Sequence, residues 1–173
     1  MRIMMFRTTV ALASLALLPV TSANAQSLGA CRIEVAANPP RKVLLCGNGL
    51  TIEAEDDTRF RVRGRLAAGQ PEGVSVSHGA VLIDLKPERR VRFHVLTPHA
   101  LAAVRGTMYA VDVKQVETAV FVARGRVAVT YRGSRSTITL EQGQGVDVAP
   151  GKPLEVKTWS AERVSQLMRR FGR

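Results

Sequence analysis

The chain is poor in the residues that build reaction centres. Its 173 residues include three histidines and two cysteines, and 14 Asp+Glu stand against 25 Lys+Arg. His78, His94 and His99 lack the spacing of a helical metal site, and no companion ligands lie near them, which excludes the common zinc arrangements. Ser75 and Ser77 fall in a β-type run without the Gly-x-Ser-x-Gly elbow of a serine hydrolase. Gly143-x-Gly145 is a lone glycine pair followed by another β-like run, not a phosphate-cradling turn into a helix. Glu53, Glu55, Asp56 and Asp57 lack the glycine-punctuated loop of an EF-hand and are expected to form a solvated turn. The histidines are expected at the surface, with His94 and His99 flanking a Thr97-Pro98 turn. No catalytic, cofactor-binding or metal-binding residue is assigned, and no cofactor is expected. The pattern points to a binding or signalling scaffold rather than an enzyme.

Long apolar runs are also scarce. Val10 to Val20 is too short to span a bilayer. It follows Arg2 and Arg7 and precedes Ala23-Asn24-Ala25, the small-x-small pattern of a signal-peptidase site. The expectation is a signal peptide over 1–25 and export to the periplasm. Leu28-Gly29-Ala30-Cys31 offers a rival processing site, at which Cys31 would carry a lipid. In an oxidising compartment Cys31 and Cys46 are expected to pair. Closing that loop of about 15 residues stabilises by roughly 3 kcal/mol on the chain-entropy model. The spacing is not Cys-x-x-Cys, and no lysine or histidine adjoins either thiol to activate it.

Loss of Arg2 and Arg7 with the leader lowers the formal net charge from +11 to +9. The polyanions of an envelope compartment are lipid phosphates, lipopolysaccharide and acidic glycans, so nucleic acid is not an expected partner. Arg61, Arg63 and Arg65 alternate with Phe60, Val62 and Leu66, as solubilising outward positions of a strand would.

What is abundant is β-type alternation punctuated by glycine. Lys42 to Cys46 and Leu50 to Glu55 flank Gly47-Asn48-Gly49, a hairpin signal. Short strands are expected at Thr58 to Val62, Val74 to Ser77, Ala80 to Leu85, Val91 to Val95, Thr107 to Val113, Thr118 to Val122, Arg126 to Tyr131 and Thr137 to Leu140. Val74-x-Val76-x-x-Gly79-x-Val81-x-Ile83-x-Leu85 recurs 46 residues later as Val120-x-Val122-x-x-Gly125-x-Val127-x-Val129-x-Tyr131, and Val91-x-Phe93 matches Ile138-x-Leu140. Gly125, like Gly79, is read as a structural corner. Arg105-Gly106-Thr107 reads as a further corner, with the Thr107 side chain bonding to nearby backbone, and has no counterpart in the first copy. The fold expected is all-β, a short-stranded β-solenoid or β-sandwich with hairpin repeats.

The C-terminus breaks the pattern. Ser160 is a candidate N-cap, and Val164, Leu167, Met168 and Phe171 fall at helical spacing. One amphipathic helix is expected over 158–173. Packed across an open end or edge of the β domain, it would shield strand edges. Alternatively, Trp159, Arg163, Arg169, Arg170 and Arg173 would form a partner surface. The chain thus divides into a leader, a disulfide-clamped N-terminal hairpin region (26–57), a β domain (58–157) and the helix.

Thr97, Ala103-Val104-Arg105-Gly106-Thr107 with Tyr109 and Val111, Thr118-x-Val120-x-Val122-x-x-Gly125-x-Val127-x-Val129, and the Leu140-x-x-Gly143 corner resemble the FecR domain family over roughly 58–150. The resemblance implies a small all-β periplasmic domain that receives or relays signals, with Arg105, Gly106, Thr107, Gly125, Val127 and Gly143 as structural motif positions. In the namesake proteins that domain couples an outer-membrane iron-siderophore receptor to a cytoplasmic sigma factor. With 1–25 read as a leader, this chain is expected to depart from that layout, with neither a cytoplasmic N-terminal sigma-binding segment nor an internal membrane helix. The expectation is a free-standing adaptor that meets an envelope or membrane signalling protein without touching a sigma factor. The alternative is a structural or carrier protein whose basic surface holds anionic lipid, lipopolysaccharide or glycan.

Overall fold

The computed structural model of the chain describes residues 27–28, 31–64, 71–86, 93–104, 106–134 and 136–173. The leader expected over 1–25, the Gly29-Ala30 part of the rival processing site, Arg65, Leu66, Val91 and Arg105 lie outside the described residues. In chain order the elements are β1 (Ser27–Leu28), β2 (Cys31–Ala37), β3 (Pro40–Cys46), a 3-10 turn (Gly47–Gly49), β4 (Leu50–Glu55), β5 (Arg59–Arg63), β6 (Gly73–Leu85), β7 (Phe93–Leu96), β8 (Ala100–Val104), β9 (Met108–Val113), β10 (Thr118–Arg124), β11 (Arg126–Tyr131), β12 (Thr137–Glu141), β13 (Gln144–Val148), β14 (Lys157–Thr158) and α1 (Ala161–Arg169).

The strands form two faces that share one strand. The first sheet runs β1-β2-β3-β4-β6-β9-β10-β13-β14. The second runs β5-β6-β7-β8-β11-β12. The two short strands expected at 74–77 and 80–85 are one bent strand, β6. It crosses from the second sheet to the first at Gly79, where φ is +81°. The chain crosses again between β10 and β11 at Gly125, where φ is +86°. Glycine is favoured at both corners because a Cβ disfavours that left-handed backbone. The core lies between the inner faces: Leu44, Ile52, Ile83, Val111 and Val120 from the first sheet meet Val74, Val95, Val127, Val129 and Leu140 from the second. Every described ladder is antiparallel except β6–β7, so the architecture is a curled sandwich and not a solenoid of parallel coils.

The N-terminal hairpin belongs to this frame. Cys31 and Cys46 sit opposite each other in the β2–β3 ladder and are joined by a disulfide. With its sulfur in that bond, Cys31 has no thiol left to carry a lipid. β3 continues into β4 and β4 into β6, so the sheet is continuous from the hairpin onwards.

The internal repeat is real in topology and larger than the sequence pattern showed. A β3–β4 hairpin lies beside the second half of β6, and β5 lies beside the first half. In the same way a β7–β8 hairpin lies beside β11, and β9 lies beside β10. Phe60 opposes Val76 as Tyr109 opposes Val122. Arg59 opposes His78 as Met108 opposes Arg124, with a bulge at the same place in both ladders. The match of Phe93 to Leu140 does not extend the repeat, because β7 runs parallel to β6 while β12 runs antiparallel to β11.

The helix lies over a face, not at an edge. The outer side of the first sheet presents Ala80, Leu82, Met108, Ala110, Ala119, Phe121 and Ala123. Trp159, Val164, Leu167, Met168 and Phe171 cover them in a second, smaller core. Ser160 caps the helix by accepting from the Arg163 amide at 3.3 Å. Small residues on the sheet bring the helix close: a Cβ at Gly145 would collide with the Trp159 indole.

Candidate interaction surface

The two outer faces of the sandwich treat charge in opposite ways. On the helix side, carboxylates and arginines neutralise each other. Arg170 grips Glu55 of β4 through Nε and Nη2 at 2.5 and 2.6 Å, and Asp112 of β9 through Nη1 at 2.8 Å. The Glu55 hydrogen bond, with Asp112 beside it, holds the Arg170 guanidinium well above the usual arginine range, against the opposing effect of partial burial. Arg173 and Arg41 share buried Glu53, at 2.5 and 2.8 Å. Arg163 pairs with Asp147 of β13 and stacks on Trp159, its guanidinium carbon 3.5 Å from the ring centroid. Trp159 in turn stacks on Phe121 at 5.1 Å.

These contacts redirect two expectations. Of the acidic cluster expected as a solvated turn, only Asp56 and Asp57 are exposed; Glu53 and Glu55 receive the arginines of the C-terminal segment. Of the helix residues expected as a partner surface, Trp159, Arg163, Arg170 and Arg173 are engaged within the chain, while Arg169 is exposed, its side chain bonding among the described residues to Ser165 one turn earlier. The sequence places these acids and arginines about 115 residues apart, so only folding brings them together.

The other side is open. β5 hydrogen-bonds to β6 on one edge, and no described strand pairs with its other edge. Arg59, Arg61 and Arg63 are exposed on it and pair with no described carboxylate. All five β5 residues line an open groove of about 910 Å³. Its floor is Ser75, Val76 and Ser77 of β6, and Leu96, Thr97, Pro98 and Arg132 close it. Ser75 Oγ on the floor makes no hydrogen bond to a described residue, and Arg132 is anchored to the Thr97 carbonyl at 3.1 Å. The sequence pattern hid this groove because Arg-x-Arg-x-Arg on a strand reads equally well as a solvated face. Arg59 and Arg132 were not singled out at all. The signal lies in their having no acidic partner among the described residues, which only the fold reveals.

The remaining candidates are structural. His99 is buried, contrary to the surface position expected for it. Thr118 Oγ1 donates to Thr97 Oγ1, and Thr97 Oγ1 donates to the Ala100 carbonyl. The hydroxyl protons are thereby used, so His99 Nδ1–H donates to Thr118 at 3.0 Å. This chain of bonds ties the β7–β8 turn to β10. Thr107 Oγ1, expected to bond to nearby backbone, is buried without a described partner, although the Thr107 carbonyl accepts from the Leu85 amide. Among the described residues, no cluster of three or more His, Cys, Asp or Glu could hold a metal.

Residues 31–128 match the family model described as FecR protein. The chain belongs to the FecR family. The FecR match begins at the disulfide, takes in the first copy of the duplicated unit and runs through the second as far as residue 128, within β11. It ends before β12 to β14 and before the helix that covers the first sheet. A comparison with curated proteins finds no match. Two crystal structures of a candidate anti-sigma factor from Parabacteroides distasonis share the fold. One, at 1.65 Å resolution, is 20% identical with a TM-score of 0.58 and is covered over 58% of its length by 72% of this chain. The other, at 2.50 Å, is 19% identical with a TM-score of 0.60, covered over 63% by 78% of this chain. The FecR-family chain therefore spans about three-fifths of the length of the proteins it resembles.

Proposed function

We propose that this FecR-family chain is an exported, non-enzymatic adaptor in bacterial envelope signalling that acts through protein contacts. Family membership makes it a signalling-related regulatory module, and the fold it shares with a candidate anti-sigma factor is in keeping with that. One observation carries the reading. The first sheet's outer face is sealed by its own helix with matched charges, while the groove along β5 holds three arginines with no carboxylate partner among the described residues. A fold that neutralises one face and leaves the other charged has a surface to offer. The Cys31–Cys46 disulfide fits an oxidising compartment such as the periplasm, and no described helix is long and apolar enough to cross a membrane.

The test is photo-crosslinking in intact envelopes, with a photoreactive residue at Ser77 beside the groove and another at Gln166 on the helix. A discrete protein adduct from Ser77 and none from Gln166 is the expected result. The uncompensated arginines also fit a carrier of anionic lipid, lipopolysaccharide or glycan. Salt-sensitive binding to anionic vesicles without a protein adduct would replace the adaptor with that carrier.

A further inference from the structure

We infer that the open edge of β5, beside its row of exposed arginines, receives an extended acidic segment of a partner protein, added as a strand. This rests on the reading of the chain as a protein-binding module and names the chemistry of the partner. An edge strand presents a row of unused backbone N–H and C=O groups, a template for another chain. Here the β5 edge opposite β6 has no described strand on it, and the exposed β5 arginines beside that edge also form one wall of the groove over β6. Arg59, Arg61 and Arg63 fall at every second position, roughly 7 Å apart along a strand. A partner strand has the same period, so acids at alternate positions bring one carboxylate to each guanidinium, as cross-strand opposite charges do. Long, basic side chains on an edge also discourage pairing between copies of this chain, since like charges would face each other. An acidic strand turns that repulsion into attraction.

A membrane surface fits the groove less well. Lipid-binding faces combine basic residues with exposed apolar side chains that enter the acyl boundary. Among the described residues the exposed large apolar ones are Val35 on β2, Val116 in the β9–β10 turn and Val156 before β14, none of them in the groove. The arginines also stand in a line rather than over a broad patch, which suits an extended chain.

The test uses the disulfide-bonded protein lacking residues 1–25 and a blocked, dye-labelled peptide of about ten residues in which Glu alternates with Thr and Val. Fluorescence anisotropy at low salt is expected to show binding. A peptide of the same composition with its glutamates grouped at one end should bind at least about tenfold more weakly. N-methylation of alternate backbone nitrogens should abolish binding for one parity and spare it for the other, because only one edge of the added strand faces β5. R61Q combined with R63Q should weaken binding at least about tenfold while leaving the melting temperature unchanged, since both side chains are exposed. Equal binding of the alternating and grouped peptides, or indifference to N-methylation, would overturn strand addition. So would binding of phosphatidylglycerol vesicles by a protein that ignores the peptides. If the Ser77 adduct persists in the double variant, the adaptor stands and this assignment to the β5 edge falls. If the peptide binds but no envelope adduct forms, the adaptor falls instead.

Discussion

Gly125 packs its bare Cα against Thr107. A Cβ at Gly125 would lie 2.7 Å from Thr107 Cγ2, and the residue adopts φ +86°. Gly79 stands in the same relation to Thr58, where a Cβ would lie 2.6 Å from Oγ1. Each threonine immediately precedes the strand that pairs with the segment before its glycine. Thr58 is therefore the first-copy counterpart of the Arg105-Gly106-Thr107 corner. It was invisible in sequence because the preceding residues are Asp56-Asp57 rather than Arg-Gly.

Gly125→Ala should destabilise the protein by about 2 kcal/mol, through the left-handed backbone and the collision together. Adding Thr107→Ser removes the struck methyl and should recover part of that loss. Urea melts of the single and double variants form the cycle. Strict additivity would show that the contact is not the source.

The two corners differ in one bond. Thr58 Oγ1 donates to the Ala80 carbonyl at 3.0 Å, while Thr107 Oγ1 has no described partner. Valine keeps the shape of threonine without the hydroxyl. Thr107→Val should stabilise by about 1 kcal/mol and Thr58→Val should destabilise by about as much. Thermal melts that move in the same direction for both would refute the distinction.

Trp159 is the single tryptophan of the chain, so its fluorescence reports helix docking directly. Gly145→Ala places a methyl in the indole. The expected outcome is a red-shifted emission and easier proteolysis after residue 158, with the β core still folded. An unshifted spectrum would mean that the indole accommodates the methyl in place.

Arg170→Met leaves Glu55 and Asp112 without their shared cation while keeping most of the side-chain length. The arginine is about one-third exposed, so the loss should be about 2 kcal/mol, below that of a fully buried pair. Asp112→Asn in the same background should return part of it. Chemical denaturation of the three proteins measures both steps.

Burial pushes the Tyr109 phenol above its usual range, and its hydroxyl has no described partner. The folded state thus favours the neutral form. The associated stability is present below the ordinary tyrosine pKa and is lost as pH rises above it, because the unfolded phenol ionises first. Tyr109→Phe should gain about 1 kcal/mol at neutral pH and flatten the decline above about pH 10. Urea titrations at both pH values decide it; an equally steep decline in the variant would assign alkaline sensitivity elsewhere.

Much of the fold was legible because it is local. Alternation of Val120, Val122, Val127 and Val129 marks strands with one buried face, and Ser160 followed by Val164, Leu167, Met168 and Phe171 marks a capped helix. The candidate site was less legible because it depends on what does not meet. Arg61 and Arg170 look alike along the chain. One faces solvent beside a free strand edge; the other lies between two carboxylates.

The amino-acid order alone determined the strand periodicity, the glycine corners, the cysteine pair and the amphipathic helix, since each follows from conformational preference or burial within a few residues of its neighbours. Tertiary structure decided which sheet each strand joins, that β6 bends through both, that the helix seals a face, and which arginines meet a carboxylate. Those outcomes depend on pairings between residues far apart in the chain, and backbone hydrogen bonds and packed side chains select them only once the whole core closes.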